Sequence, residues 1–174
     1  RAKEKMQKAM NEVGKDLDTP FDKLGIDQLY VDEADLFKNL AYVTNMGRVA
    51  GLSNSNSQRS QDMYIKTQYL MNTHNGRGVV FATGTPISNT IAEMFTMLRY
   101  LNPKALEKHG VTFFDNWINT FSRKETTLES KPTGNGYRTV QKFAKFYNMS
   151  GLKRMFLEVA DVKTQADIDV KIPK

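Results

Sequence analysis

The sequence predicts an α/β fold in which a small parallel sheet is flanked by helices. Two short β-like runs, residues 28–31 and 79–82, are each followed by a polar loop and then by a helical segment. Strand, loop and helix repeated in this order are typical of a parallel sheet, because parallel strands need a helical crossover between them. With 174 residues, of which 40% are hydrophobic, the chain is also long enough to bury a core.

The helices of the first half follow from capping residues and apolar spacing. Residues 1–13 are predicted to be a polar helix, and Thr19-Pro20 is an N-cap with a proline at the first helical position, which predicts a short helix ending at Gly25. A longer helix is predicted from about Ser60 to Asn75, after the low-complexity stretch 51–61, which is typical of a loop.

The second half is predicted to be helical, with one hairpin. Apolar residues at helical spacing predict a helix from near Asn89 to Leu101, and an aromatic stripe from Phe113 to Phe121 predicts another whose rings form core rather than a base-stacking surface. Residues 122–140 are polar with a glycine-rich turn and indicate a hairpin, and Ser150 is the predicted cap of a last helix. We therefore divide the chain into an α/β part, 1–111, and a helical and hairpin extension, 112–174.

Composition excludes several classes of protein. There is no cysteine, so a disulfide framework and a thiolate metal site are excluded. The two histidines, His74 and His109, are isolated, which argues against a zinc site. No apolar run approaches the roughly 20 residues that cross a bilayer. We therefore expect a soluble protein with no membrane partner.

Positive charge is concentrated in the second half of the chain. The formal net charge is +6; residues 1–86 hold 11 Lys and Arg against 10 Asp and Glu, whereas residues 87–174 hold 14 against 9. Clustered cations such as Lys142 and Lys145 favour a polyanionic partner, because they release counterions from phosphates. A solvated basic face with no partner is the alternative that charge alone leaves open.

Two motifs carry the chemistry. Residues 31–39 read Val-Asp-Glu-Ala-Asp-Leu-Phe-Lys-Asn and residues 82–89 read Ala-Thr-Gly-Thr-Pro-Ile-Ser-Asn. Each motif begins at the carboxyl end of a predicted strand. Since ligands of parallel sheets bind at the carboxyl ends of the strands, Asp32, Glu33, Thr83 and Thr85 are expected at that edge.

These residue types suit phosphoryl transfer from ATP to water, which needs a metal to neutralise charge and a group to orient the water. An aspartate at the strand end, Asp32, can hold Mg²⁺, and Glu33 can polarise the water. Asp35 can hydrogen-bond to the Thr-Gly-Thr turn, and Gly84 permits close backbone approach. The alternatives are an acidic helix N-terminus and an ordinary turn.

Asp-Glu-Ala-Asp-Leu-Phe-Lys-Asn resembles the second motif of superfamily-2 helicases of the DEAD-box type, and its Lys38-Asn39 tail resembles the Swi/Snf branch. Thr-Gly-Thr-Pro-Ile-Ser-Asn and the helix behind it, with Asn89, are similar to the third motif of that branch. The resemblance covers most of residues 24–105 closely and 106–174 more loosely. The amino-acid sequence of these motifs is most similar to that of very large phage and conjugative-element proteins. Those proteins join such a helicase core to an adenine-specific DNA methyltransferase.

The resemblance implies an ATP-dependent DNA helicase or translocase, of which this chain is the later part of the first RecA-like lobe, without the Walker A portion. It implies a catalytic pair, Asp32 and Glu33, with Asp32 also holding the metal, and cofactor-binding residues that are Asp35, Thr83, Gly84 and Thr85. Contacts to nucleic acid would come from Lys38, Asn39, Asn89, Lys142 and Lys145. The implied cofactors are ATP and Mg²⁺, and the implied partners are DNA, the rest of the helicase core and a fused methyltransferase.

No glycine-rich phosphate loop with its lysine and no arginine finger occurs in the 174 residues. Because the chain begins at Arg1 without an initiator methionine, we expect a segment of a longer protein. The resemblance implies a cytoplasmic protein of bacterial or phage origin. Without the phosphate loop and the arginine finger, we expect the isolated chain to hydrolyse little ATP. The missing phosphate-loop strand would leave Val79 to Thr83 with an unpaired edge, which predicts self-association or cover from the chain's own N-terminal residues.

Two other functions stay open at this point. The chain could be a catalytically inactive module that binds DNA or a protein; changes at Lys142 and Lys145 would then weaken binding, with a steep salt dependence. A helicase would instead lose its activity on Glu33→Gln. A different phosphate-loop ATPase, such as a transporter subunit, is disfavoured by Lys38-Asn39 and the Thr-Gly-Thr-Pro turn.

Overall fold

A computed structural model describes residues 19–46, 57–87, 90–131 and 134–164, together with Asp167. The strands in this part of the chain are β1 (Leu29–Val31), β2 (Val79–Phe81), β3 (Ser122–Ser130) and β4 (Tyr137–Phe146). The α-helices are α1 (Gln58–Thr73), α2 (Ala92–Leu101), α3 (Pro103–Lys108), α4 (Phe114–Phe121) and α5 (Met149–Leu157). Single 3-10 turns lie at Phe21–Lys23 and Ala34–Phe37.

Strands β1 and β2 form a two-stranded parallel sheet, as predicted. Leu29 is paired with Val79 and Val31 with Phe81, and α1 supplies the crossover between the strands. Helix α2 covers one face of this sheet, where the rings of Phe81 and Tyr100 lie 5.2 Å apart. The predicted α/β class is confirmed, and the arrangement is compatible with a partial RecA-like lobe.

The opposite face of the sheet is uncovered within the described residues. Tyr30 and Val80 are partners in the register and point to this face, with 70% and 49% of their surfaces exposed. The described helices therefore pack on one face of this sheet only. A doubly covered parallel sheet needs a further layer.

The free edge of β2 is the reason to expect self-association. Gly78 and Ala82 bond to β1, with Leu29 N donating to Gly78 O at 2.8 Å and Ala82 N donating to Val31 O at 2.8 Å. Alternation along a parallel strand then directs the backbone groups of Val79 and Phe81 to the other edge, where no described strand pairs with them. We expect the chain to dimerise or oligomerise in light scattering, with these two amides protected from exchange. A monomer with both amides exchanging rapidly would contradict this.

The core lies among α2, α4 and α5, beside the sheet. Trp117 is completely buried and lies 5.4 Å from the Phe95 ring and 5.3 Å from the Phe121 ring, measured between ring centroids. The aromatic stripe is thus core, as predicted, except for Phe113. That side chain is 69% exposed, because α4 begins at Phe114 and leaves Phe113 as an extended N-cap residue.

This core draws on both sides of residue 111. Phe95 and Leu98 come from the predicted α/β part, and Trp117 and Leu152 from the predicted extension. The division into 1–111 and 112–174 stays a prediction.

The predicted hairpin is present, and its strands are long. β3 and β4 pair antiparallel from Ser122 opposite Phe146 to Ser130 opposite Tyr137, with one bulge between Arg123 and Lys124. The turn uses Gly134 and Gly136, both with positive φ, where glycine avoids the steric cost of a side chain.

Some predicted boundaries shift. The segment after Thr19 is one 3-10 turn, Phe21–Lys23, preceded by Pro20, and not a helix reaching Gly25. The last helix is preceded by Asn148, at φ 51, so Ser150 lies in its first turn and is not the cap. The helix predicted to begin near Asn89 begins at Ala92.

Asn89 itself, the predicted helix 1–13 and most of the predicted loop 51–61 lie outside the described residues. Within the described parts, no helix combines the length and the apolar character needed to cross a membrane.

Candidate functional site

The carboxyl ends of β1 and β2 bring the two motifs side by side. Beyond the strands, Ala82 N donates to Val31 O at 2.8 Å and Ala34 N donates to Ala82 O at 3.0 Å. These backbone bonds hold residues 32–35 beside residues 83–85, at the edge where parallel sheets bind ligands.

A side-chain bond joins the motifs directly. Thr83 Oγ1 donates to Asp35 Oδ1 at 3.0 Å and accepts from the backbone N–H of Thr85 at 3.1 Å. The predicted contact between Asp35 and the Thr-Gly-Thr turn is therefore present. The Thr83 hydroxyl fixes the turn and the acidic loop relative to each other, so a displacement of one would displace the other.

The two acidic residues at the strand end are exposed to solvent. Asp32 Oδ1 accepts a hydrogen bond from Glu33 N at 2.9 Å. Glu33 has φ 49 and ψ 49, a left-handed conformation that costs a residue with a side chain about 1–3 kcal/mol. Strain of this kind clusters at functional sites, and here it lies at one of the two carboxylates that the motif predicts to be catalytic.

Gly84 lies in open space. A Cβ built on it would meet no atom within 4 Å, and its φ is outside the left-handed region. The fold of the described residues therefore does not require glycine at this position. A ligand or a moving segment that approaches the backbone would require it.

Lys38 and Asn39 are positioned by neighbouring elements. Lys38 Nζ lies 3.5 Å from Glu93 Oε1 on α2, and Glu93 is only 8% exposed. The carbonyl of Asn39 accepts from Ser57 N at 3.4 Å, and the residue is exposed. Lys38, predicted to contact nucleic acid, is thus engaged in an ion pair inside the protein.

The segment after the acidic loop is held by residues that the sequence did not single out. The hydroxyl of Tyr100 donates to Phe37 O at 3.2 Å and to Ser60 O at 2.8 Å, and Arg99 Nη1 donates to Ala41 O at 2.8 Å. Burial raises the pKa of the Tyr100 phenol, so it stays a donor. In the sequence, both residues look like ordinary positions of an amphipathic helix, and no local pattern marks them.

A second clamp ties the same segment to α4. Asp115 accepts from the backbone N–H of Asn45 at 2.8 Å and from the hydroxyl of Thr44. Tyr42 stacks on Phe114 with ring centroids 4.1 Å apart, and burial, together with the negative charge of Asp115, raises the pKa of the Tyr42 phenol. Because α4 runs directly into β3, the acidic loop, the core and the hairpin are one connected structure.

Lys142 and Lys145 lie on β4, where carboxylates of β3 face them. Lys145 Nζ is 2.9 Å from Glu125 Oε1 and Lys142 Nζ is 3.5 Å from Glu129 Oε1. Their charges are therefore partly neutralised within the hairpin. Both pairs are accessible to solvent, where such pairs contribute little to stability.

A parallel α/β edge that carries these two motifs is compatible with a helicase-type domain. The chain belongs to the family described as "Probable helicase domain", whose model matches residues 1–164. It is 30% identical over 162 residues to "Defense against restriction protein B" of Escherichia phage P1, an alignment that covers 88% of this chain and 7% of that protein. No solved structure matches the chain.

The phage relative fits a mobile-element origin. The chain spans about 7% of the length of that relative.

Proposed function

We propose that the chain is the later part of the first RecA-like lobe of a superfamily-2, Swi/Snf-type DNA helicase or translocase. The observation that carries this proposal is the hydrogen bond from Thr83 to Asp35, which joins the ends of two parallel strands beside two exposed carboxylates. In this reading the edge of the sheet is the half of an ATPase site that activates water and transmits the state of the nucleotide.

Asp32 is the proposed metal-binding residue. Mg²⁺ bound with a nucleotide takes one or two carboxylates and fills its other positions with phosphate oxygens and water. The site fits this, since Asp32 is a carboxylate exposed at the strand end. Bound Mg²⁺ would neutralise the phosphate charge of ATP.

Glu33 is the proposed base that orients the attacking water. Its side chain is exposed to solvent directly after β1, beside Asp32. Asp35, Thr83, Gly84 and Thr85 would link the phosphates to DNA bound elsewhere on the domain. A bond that tightens or breaks between Asp35 and Thr83 is the proposed coupling element.

The remaining parts of the site would lie outside these 174 residues. A phosphate-binding lysine and an arginine finger supply much of the charge stabilisation in such ATPases. We therefore expect negligible hydrolysis by the isolated chain and place the activity in the complete protein, together with the rest of the helicase core and a fused methyltransferase.

The coupling role of the Asp35–Thr83 bond is tested by Thr83→Val in the complete protein. Valine keeps the shape of the side chain and removes the hydroxyl, so basal ATP hydrolysis should stay within a few-fold while stimulation by DNA falls about tenfold or more, since a bond present in the coupled state is lost. ATP hydrolysis with and without DNA measures this.

Thr83→Ser, which keeps the hydroxyl, should retain the stimulation. The matched control is Thr120→Val, because the Thr120 hydroxyl bonds only within α4 among the described residues. Full DNA stimulation in Thr83→Val would rule out the coupling role of this bond.

Gly84→Ala separates folding from nucleotide binding. The added methyl group meets open space in this structure, so we expect the free energy of unfolding to change by less than about 0.5 kcal/mol. If a phosphate or a moving segment approaches this backbone, kcat/KM for ATP should fall about tenfold or more. Unchanged kinetics with unchanged stability would remove Gly84 from the site.

A second candidate function is an inactive module that binds nucleic acid. It is favoured by the hairpin, where residues 122–147 hold six Lys and Arg against two Glu. In that case the complete protein would bind DNA but would show no hydrolysis that depends on Glu33.

A further inference from the structure

The β3–β4 hairpin has two chemically different faces. Residues that are paired across an antiparallel ladder share a face, and faces alternate along each strand. The first, which we call the ion-paired face, consists of Arg123, Glu125, Thr127, Glu129, Arg138, Val140, Lys142 and Lys145. The second, which we call the open face, consists of Lys124, Thr126, Leu128, Ser130, Tyr137, Thr139, Gln141 and Phe143.

Both carboxylates of the hairpin lie on the ion-paired face. Glu125 faces Lys145 at 2.9 Å, and Glu129 faces Lys142 at 3.5 Å and Arg138 at 3.9 Å. Three of the four cations on this face therefore lie beside a carboxylate, while Arg123 lies over the Tyr147 ring, and most residues of the face are half-buried.

The open face carries no acidic residue and exposes apolar groups near the turn. Leu128 and Tyr137 are 73% and 72% exposed and lie diagonally on neighbouring strands. Around them are the hydroxyls of three Ser and Thr residues and one amide, and Lys124 has no described ion pair. An exposed ring among uncharged donors, with the unpaired cation Lys124 on the same face, suits a planar ligand with negative charge.

The base of the hairpin is fixed to the core. Tyr147 N donates to Phe121 O at 3.0 Å, its hydroxyl donates to Ser122 O at 2.9 Å, and Phe143 packs against the core cluster. A two-stranded hairpin is marginally stable alone, so these contacts anchor it. Strands of nine and ten residues rise about 30 Å, which places Tyr137 at the far end from this anchor.

We propose that the open face binds single-stranded DNA, with Tyr137 stacking on one base and Leu128 packing against its neighbour. Lys124 on this face and Lys131, an exposed residue directly after β3, would contact phosphates. The net charge of +4 over residues 122–147 favours a polyanion over a protein partner. An exposed aromatic ring favours unpaired bases over a duplex, whose bases are already stacked. The proposal rests on the proposed function only for the choice of DNA over RNA.

The stacking role is tested with the 174-residue chain and a fluorescein-labelled 20-nucleotide oligo(dT), followed by anisotropy without ATP. Stacking on an aromatic residue predicts that Tyr137→Ala weakens binding about 5- to 150-fold, while Tyr137→Phe retains it. Tyr30→Ala is the matched control, since Tyr30 is equally exposed but lies on the parallel sheet. Circular dichroism checks that the variants are folded.

The salt dependence of DNA binding distinguishes the roles of the two faces. Removing one phosphate contact lowers the slope of log K against log salt by about 0.7 for a single strand. We expect this reduction for Lys124→Gln and a smaller one for Lys142→Gln, whose charge is already paired with Glu129.

Three results would overturn the proposal: wild-type chain that does not bind the oligonucleotide at 50 mM salt, Tyr137→Ala and Tyr30→Ala that bind alike, or a preference for the matching duplex. Since none of these measurements uses ATP, their outcome is distinct from the hydrolysis tests of the proposed function.

Discussion

Glu33→Gln is expected to lower ATP hydrolysis by the complete protein by about 10²- to 10⁴-fold, the range that a positioned general base contributes. The amide keeps the size of the side chain and its place at the end of β1, so ATP binding should persist. The variant loses only the ability to take a proton from water. Steady-state hydrolysis and nucleotide binding, measured on the same preparation, separate the two effects.

The control for this variant is Glu107→Gln, since Glu107 is an exposed residue of α3 and is not one of the proposed site residues. Its hydrolysis should match wild type. A Glu33→Gln protein that hydrolyses ATP within about threefold of wild type would remove the catalytic role of Glu33. If wild type itself is inactive but binds DNA, the second candidate function gains support.

Trp117→Ala is expected to destabilise the chain by about 3–5 kcal/mol, the cost of deleting a large buried ring and leaving a cavity. Trp117 is completely buried among Phe95, Phe114 and Phe121, and its side chain joins α2 to α4. Since domains are stable by only about 5–15 kcal/mol, much of the margin would be lost. Trp117 is the single tryptophan, so urea unfolding is followed by circular dichroism and not by fluorescence.

Two variants bracket this effect. Trp117→Phe keeps a ring and removes an indole N–H that has no hydrogen-bond partner in the described structure, so it should cost clearly less than the alanine change. Phe113→Ala removes an aromatic side chain that is 69% exposed and should change stability by no more than about 0.5 kcal/mol. Equal losses for Trp117→Ala and Phe113→Ala would contradict the position of the core.

Local patterns predicted the elements that lie near the site. The apolar runs that precede Asp32 and Thr83 form β1 and β2. The aromatic residues Phe114, Trp117 and Phe121 form the buried side of α4, because the periodicity of apolar residues decides which face of a helix is covered. The meeting of Asp35 with Thr83 was also predicted. That the two motifs lie close together follows from strand direction, since the ends of parallel strands share an edge.

What the sequence determined by itself was therefore the class of fold, the helicase-type motifs and the edge on which they meet. Tertiary structure decided how that edge is held: Tyr100 and Arg99 bind the carbonyls behind the acidic loop, and Asp115 binds its continuation. It also decided that Lys142 and Lys145 face carboxylates while Tyr137 stands exposed. The physical reason is that these contacts join residues 13 to 70 positions apart, and their register depends on packing that no local pattern of residues encodes.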